Sequence, residues 1–189
     1  MSEEGSPAAG RRALAGSTER CGGCGRTVAG GTAGCRAEFD AVVGRDFSNV
    51  AYFAVHRLLV DTYSLQHPDQ FCRSVKSFAA HLCGLCDLVE RGASRAVGSE
   101  AVRRWLDGPL DPGRGLVKPP FPAFRGALSI ADVAGAELPS EHARRVEAWA
   151  RATWAAYEPL HALARRWLDE AFAATRVNAP ARRSPPARA

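Results

Sequence analysis

From Asp69 to Arg91 the apolar residues Phe71, Val75, Phe78, Leu82, Leu85 and Val89 recur at steps of three and four, the period of one helix face. A second helical segment precedes it, from about Asn49 to Gln66, with Asp46 or Ser48 as candidate cap and Tyr52, His56, Leu59, Val60 and Tyr63 on one face expected to be buried. Only His67-Pro68 separates the two. The residue before a proline is pushed out of helical geometry, whereas proline itself suits a first helical position. So short a joint forces the segments to fold back as an antiparallel helix hairpin. The remaining elements must pack around it.

Those elements also read as helical. A short helix is expected from Arg36 to Val43, and another runs from a Ser99 cap through Leu106, before a Pro/Gly-rich loop at 108–122. Ser129 and Asp132 have capping-box spacing for one further turn. A long helix opens at Pro139-Ser140 and turns Val146, Trp149, Ala150, Thr153, Trp154 and Tyr157 inward; Pro159 either kinks it or splits it from a last helix, Leu160 to Phe172. The fold class is therefore all-α: a small helical bundle built on the hairpin. Residues 1–20 read as a flexible leader, 21–172 as a single metal-stabilised helical domain and 173–189 as a basic disordered tail.

The N-terminal end of that domain carries the chemistry. Cys21-Gly22-Gly23-Cys24-Gly25 followed by Cys35 has the form of a zinc-knuckle-like loop, because thiolates separated by two residues bind one ion with little backbone strain. A redox pair at Cys21 and Cys24, or ordinary free thiols, are the alternatives. A tetrahedral site needs a fourth donor. His67 is the first choice, since a helix-to-helix corner lets its imidazole face a neighbouring loop, and His56, His81 and Cys72 are the alternatives. Cys83 and Cys86 fall inside a helix and read as small buried hydrophobes.

His56 and His81, on neighbouring helices, can converge with His67 or with each other, and His161 can add a late ligand. If one ion were held by histidines and kept a water, His56, Asp61 and His81 would be the candidate catalytic groups of a metal-dependent enzyme. The plainer role for Asp61 is an ion pair with Arg57 one helical turn away. Nucleotide-binding fingerprints, a phosphate loop, a nucleophile elbow and a paired-histidine metalloprotease helix are absent.

Charge narrows the partners. There are 25 basic and 20 acidic residues, for a net charge of +5. Arg176, Arg182, Arg183 and Arg188 fall after Ala171 with no acid among them, so the rest of the chain is nearly neutral. Lysine occurs only at 76 and 118, so the arginines reflect a GC-rich coding bias more than a function. A nucleic-acid-associated regulator is consequently the weakest reading. No apolar run is long enough to span a bilayer, and the N-terminus lacks a signal core. The expectation is a cytoplasmic zinc protein with a structural or protein-interaction role and no small-molecule substrate defined.

Certain motifs extend this. Cys21-Gly22-Gly23-Cys24-Gly25, Gly34-Cys35, Val55-His56-Arg57-Leu58-Leu59-Val60-Asp61-Thr62-Tyr63, Gln66-His67-Pro68, Lys76-Ser77 and His81-Leu82 together resemble an uncharacterised bacterial family, numbered 5946 among domains of unknown function. The resemblance runs from Cys21 to about Leu168. It implies that the cysteine cluster, His56, Asp61, His67 and His81 belong to one recurring motif set, with Cys72, Cys83 and Cys86 outside it. It carries no activity.

Overall fold

A computed structural model describes residues 17–92, 95–108 and 116–177. The bundle is helical, as its periodicity requires, with one small addition. Strands β1 (Thr18–Arg20) and β2 (Thr27–Ala29) pair antiparallel, Thr18 opposite Ala29, and place the Cys21–Cys24 loop at the hairpin turn. The end of the supposed leader is thus ordered; residues 1–16 lie outside the described residues.

Helix α1 (Gly31–Ser48) is far longer than the expected Arg36–Val43 segment. Its first turn is glycine-rich, which propensity disfavours, yet tertiary packing demands it. A Cβ on Gly34 would lie 1.7 Å from the Ala29 carbonyl oxygen, so only glycine lets the helix rest on β2. Cys35, Phe39, Val42 and Asp46 then form the buried stripe of α1.

The expected helix from Asn49 is interrupted. Asn49, rather than Asp46 or Ser48, caps α2 (Val50–Phe53) by accepting from the Ala51 amide at 2.9 Å; Val55 then leaves helical geometry before α3 (His56–Gln66). Leu59 and Tyr63 are buried as expected, but Tyr52, His56 and Val60 are only half-buried. From Asp61 onward every residue of α3 is buried, because α5, α8 and the 123–129 loop enclose it. An enclosed helix has no outer face for a helical wheel to identify.

The second arm is segmented as well. Pro68 opens α4 (Pro68–Phe71), and the chain breaks at Cys72-Arg73-Ser74 before α5 (Val75–Cys86). Ser74 caps α5 through the Ser77 amide, and the Ser77 hydroxyl donates back to the Phe71 carbonyl. A π-helical turn, Asp87–Arg91, continues α5 to Gly92, whose left-handed conformation stops it. The arms do run antiparallel: the Arg57 guanidinium reaches the Ala80 carbonyl near one end, while Cys72 lies by the Ser64 carbonyl at the other.

Helices α6 (Arg95–Asp107), α7 (Ile130–Ala134), α8 (Pro139–Ala156) and α9 (His161–Val177) complete the bundle. Ser99 lies within α6 and does not cap it. The Ser129–Asp132 capping box forms as its spacing indicates, and Glu158–Leu160 makes the 3-10 turn at Pro159. Tyr157, just after α8, donates to the Leu65 carbonyl at 2.5 Å, and Trp167 on α9 meets Phe78 and Trp105. Helix α9 continues five residues beyond Phe172, into the supposed tail; 178–189 lie outside the described residues, as do Pro109 and Pro112 of the proline-rich loop. Residues 116–122 form no regular element, and Lys118 there ties to the carbonyls of Cys72 and Arg73, each at 3.3 Å. Among the described residues, no helix is long and apolar enough to cross a membrane.

Candidate metal centre

Three elements bring the cysteines and His67 together. Cys21 and Cys24 occupy the β-hairpin turn, which Cys21 and Gly25 close through backbone bonds to Arg26 and Cys21 carbonyls at 2.8 and 2.9 Å. Cys35 lies in the second turn of α1. His67 arrives from the far side, at the C-terminal end of α3, where the following proline ends the helix. One ligand atom from each of Cys21, Cys24, Cys35 and His67 lies within 4.8 Å of the others.

The spacing can be tested against an ion. Bonds of about 2.3 Å to sulfur and about 2.0 to 2.1 Å to nitrogen imply tetrahedron edges of about 3.8 Å between sulfurs and about 3.6 Å from sulfur to nitrogen. The Cys24 and Cys35 sulfurs are 3.9 Å apart, and His67 Nε2 is 3.3 Å from the Cys21 sulfur and 3.4 Å from that of Cys35. This Cys3His cluster can hold a metal ion.

Surrounding groups fix the imidazole. His67 Nδ1 lies 2.9 Å from the Tyr63 carbonyl oxygen, which can only accept, so Nδ1 carries a proton and Nε2 is the nitrogen that faces the thiols. The Tyr63 ring stacks on His67 at 3.9 Å and on Phe39 at 3.8 Å, holding the ring plane. Gly23 presses on the opposite side: a Cβ there would sit 2.0 Å from His67 Cδ2. The glycine in the knuckle is therefore a matter of space for the imidazole.

The thiols compete for few protons. Cys24 is pulled down to about 4, first by its bond with Cys35, then with burial opposing, by His67 and the Arg26 backbone. Cys35 is pushed up, first by the same bond with Cys24 and then by burial. A cation is the natural replacement for those shared protons.

The other candidates are held elsewhere. His81 Nδ1 is 2.8 Å from Asp61 Oδ1, while Arg57 Nε donates to Asp61 Oδ2 at 2.6 Å, so the expected Arg57 pair exists and the carboxylate is fully buried between two cations or donors. His56 Nδ1 lies 3.1 Å from Asp46 Oδ2. On the other oxygen, His142 Nε2 stands 3.1 Å away but out of line for a good hydrogen bond. Arg45 donates to His142 Nδ1 at 2.9 Å; since arginine cannot accept, that imidazole is neutral with its proton on Nε2. His161 stacks on Trp154 and bonds its carbonyl. None of His56, His81, His161 or Cys72 is in the Cys3His cluster, and each histidine is engaged by its own partner.

Cys83 and Cys86 are buried, as their helical setting implies, and Cys72 is buried at the break between α4 and α5; burial is the first cause that pushes each thiol up, Cys72 and Cys86 to about 12. The reading of the sequence overlooked Asp46 as a histidine partner and His142 altogether. Asp46 looked like a cap, and nothing local marks a pair separated by most of the chain.

Fold and cluster together define a helical protein with a three-cysteine, one-histidine cluster that could hold a metal ion. Within that class the chain belongs to the family of unknown function DUF5946, which matches residues 19–158. No curated protein and no solved structure matches it.

Proposed function

We propose that this chain is a zinc-binding helical protein of the cytoplasm, in which Cys21, Cys24, Cys35 and His67 hold one structural Zn2+ and the domain serves as a protein-interaction module. The observation that carries the reading is the near-tetrahedral spacing of the four donors, with the Nε2 edge of the imidazole facing the thiols. Three thiolates and an imidazole favour zinc over the hard cations, and four protein ligands leave no position for a reacting water. The ion joins the β-hairpin, α1 and the end of α3, so its binding energy enters the folding energy. Three further buried thiols and no disulfide accord with a reducing compartment.

The test is metal analysis of the purified chain together with X-ray absorption at the zinc edge. One zinc per chain with three sulfur and one nitrogen neighbours is expected, and Cys24→Ser should lower both zinc content and melting temperature. Metal-free protein with an unchanged melt, or an ion bound only by nitrogen and oxygen, would overturn the assignment.

A further inference from the structure

Beside the knuckle runs an open groove of about 710 Å³, walled on one side by residues 20–26 and on the other by 123–127. Arg20, Arg26 and Arg125 line it, and no carboxylate does. Asp132, outside the lining, lies 3.6 Å from Arg26. Each guanidinium is anchored through one nitrogen to a backbone carbonyl: Arg20 to Gly25 at 3.1 Å, Arg26 to Ala127 at 3.0 Å and Arg125 to Gly23 at 2.6 Å. Anchoring fixes the planes while leaving further N–H groups for a ligand. Phe124, 65% exposed, adds an apolar surface between these charges.

We propose that this groove is the docking site for an acidic, extended peptide segment of a partner protein, with carboxylates on the arginines and an apolar side chain on Phe124. Fixed, planar donor forks match carboxylates in two-point geometry. Nucleic acid is the poorer fit, because tracking a phosphate backbone needs a longer row of cations than these three, and the folded body is otherwise near neutral. The proposal rests on the metal-held knuckle, since the ion would fix the wall that carries Arg20 and Arg26.

The experiment is an amide-resolved NMR titration of zinc-loaded full-length protein with a capped peptide of glutamates around a central leucine. Its lysine counterpart and a short oligothymidylate serve as the other arms. Saturable shifts confined to residues 20–26 and 123–127 with the acidic peptide alone are expected, weakened about fivefold to tenfold by Arg20→Glu and clearly by Phe124→Ala. Both side chains are exposed, so the variants should keep their zinc and their melt. Scattered shifts, tighter oligothymidylate binding, or an Arg20→Glu variant that binds equally would refute the groove reading. A chain that lacks zinc but still binds the peptide at the groove would instead refute the metal reading alone.

Discussion

Gly23→Ala tests the centre without altering any ligand. The added methyl would sit 2.0 Å from His67 Cδ2, where carbon contacts normally settle at about 3.5 to 4.0 Å, so one of the two groups must retreat by about 1.5 Å. The imidazole is sandwiched by Tyr63 and bonded to its carbonyl, and the knuckle is closed by its own backbone bonds, so neither has slack. A shift of that size exceeds the roughly 0.2 Å tolerance of a metal bond. The variant should therefore behave as though His67 were missing. Overpacking contributes about 1 to 3 kcal/mol and the lost metal bond adds to it, for a total of about 3 to 5 kcal/mol. At about 2 to 4 °C per kcal/mol, the melt should fall by about 6 to 20 °C, with zinc content well below one. Gly22→Ala is the control, because its Cβ would make an ordinary contact 3.5 Å from Thr32 Oγ1. Calorimetry with metal analysis reads both variants. Stoichiometric zinc and an unchanged melt in Gly23→Ala, or equal damage from Gly22→Ala, would refute the reasoning.

Thiol labelling at pH 8 should leave the native zinc-loaded chain almost unreacted, since burial raises Cys72, Cys83 and Cys86 and the ion would occupy the others; a strong chelator should release Cys21, Cys24 and Cys35 to the reagent. Labelling of Cys83 before the cluster would contradict this. Asp61→Asn should cost about 2 kcal/mol in urea unfolding with zinc retained, less than a fully buried pair because Arg57 is 39% exposed. Ending the chain after Val177 should leave the melt unchanged, whereas ending it after Phe172 removes Ala174, which packs against the core, and should lower the melt by a few degrees.

The sequence disclosed what local chemistry controls. The stripe from Val75 to Val89 marks α5 because its residues bury one side of a regular helix, and Pro68 marks the joint because its ring forbids continuation. The same proline places His67 at a helix end, which is why this histidine, rather than those inside helices, could be matched to the cysteines. What stayed hidden depends on distant neighbours. Gly34 reads as a helix breaker until Ala29 is found against it, and Asp46 reads as a cap until His56 and His142 approach from other elements. Three-residue strands are too short to show an alternation.

The buried carboxylates explain why the histidines separate as they do. Asp46 and Asp61 are fully buried, and a carboxylate out of water needs donors or cations beside it. Asp61 takes His81 and Arg57; Asp46 takes His56 and, less well aligned, His142. Drawing His56 or His81 toward the thiols would strip a buried charge of its partner. His67 has no such obligation, since its second nitrogen needs only the Tyr63 carbonyl of its own helix. It is thus the histidine that can meet three thiols without unbalancing the core.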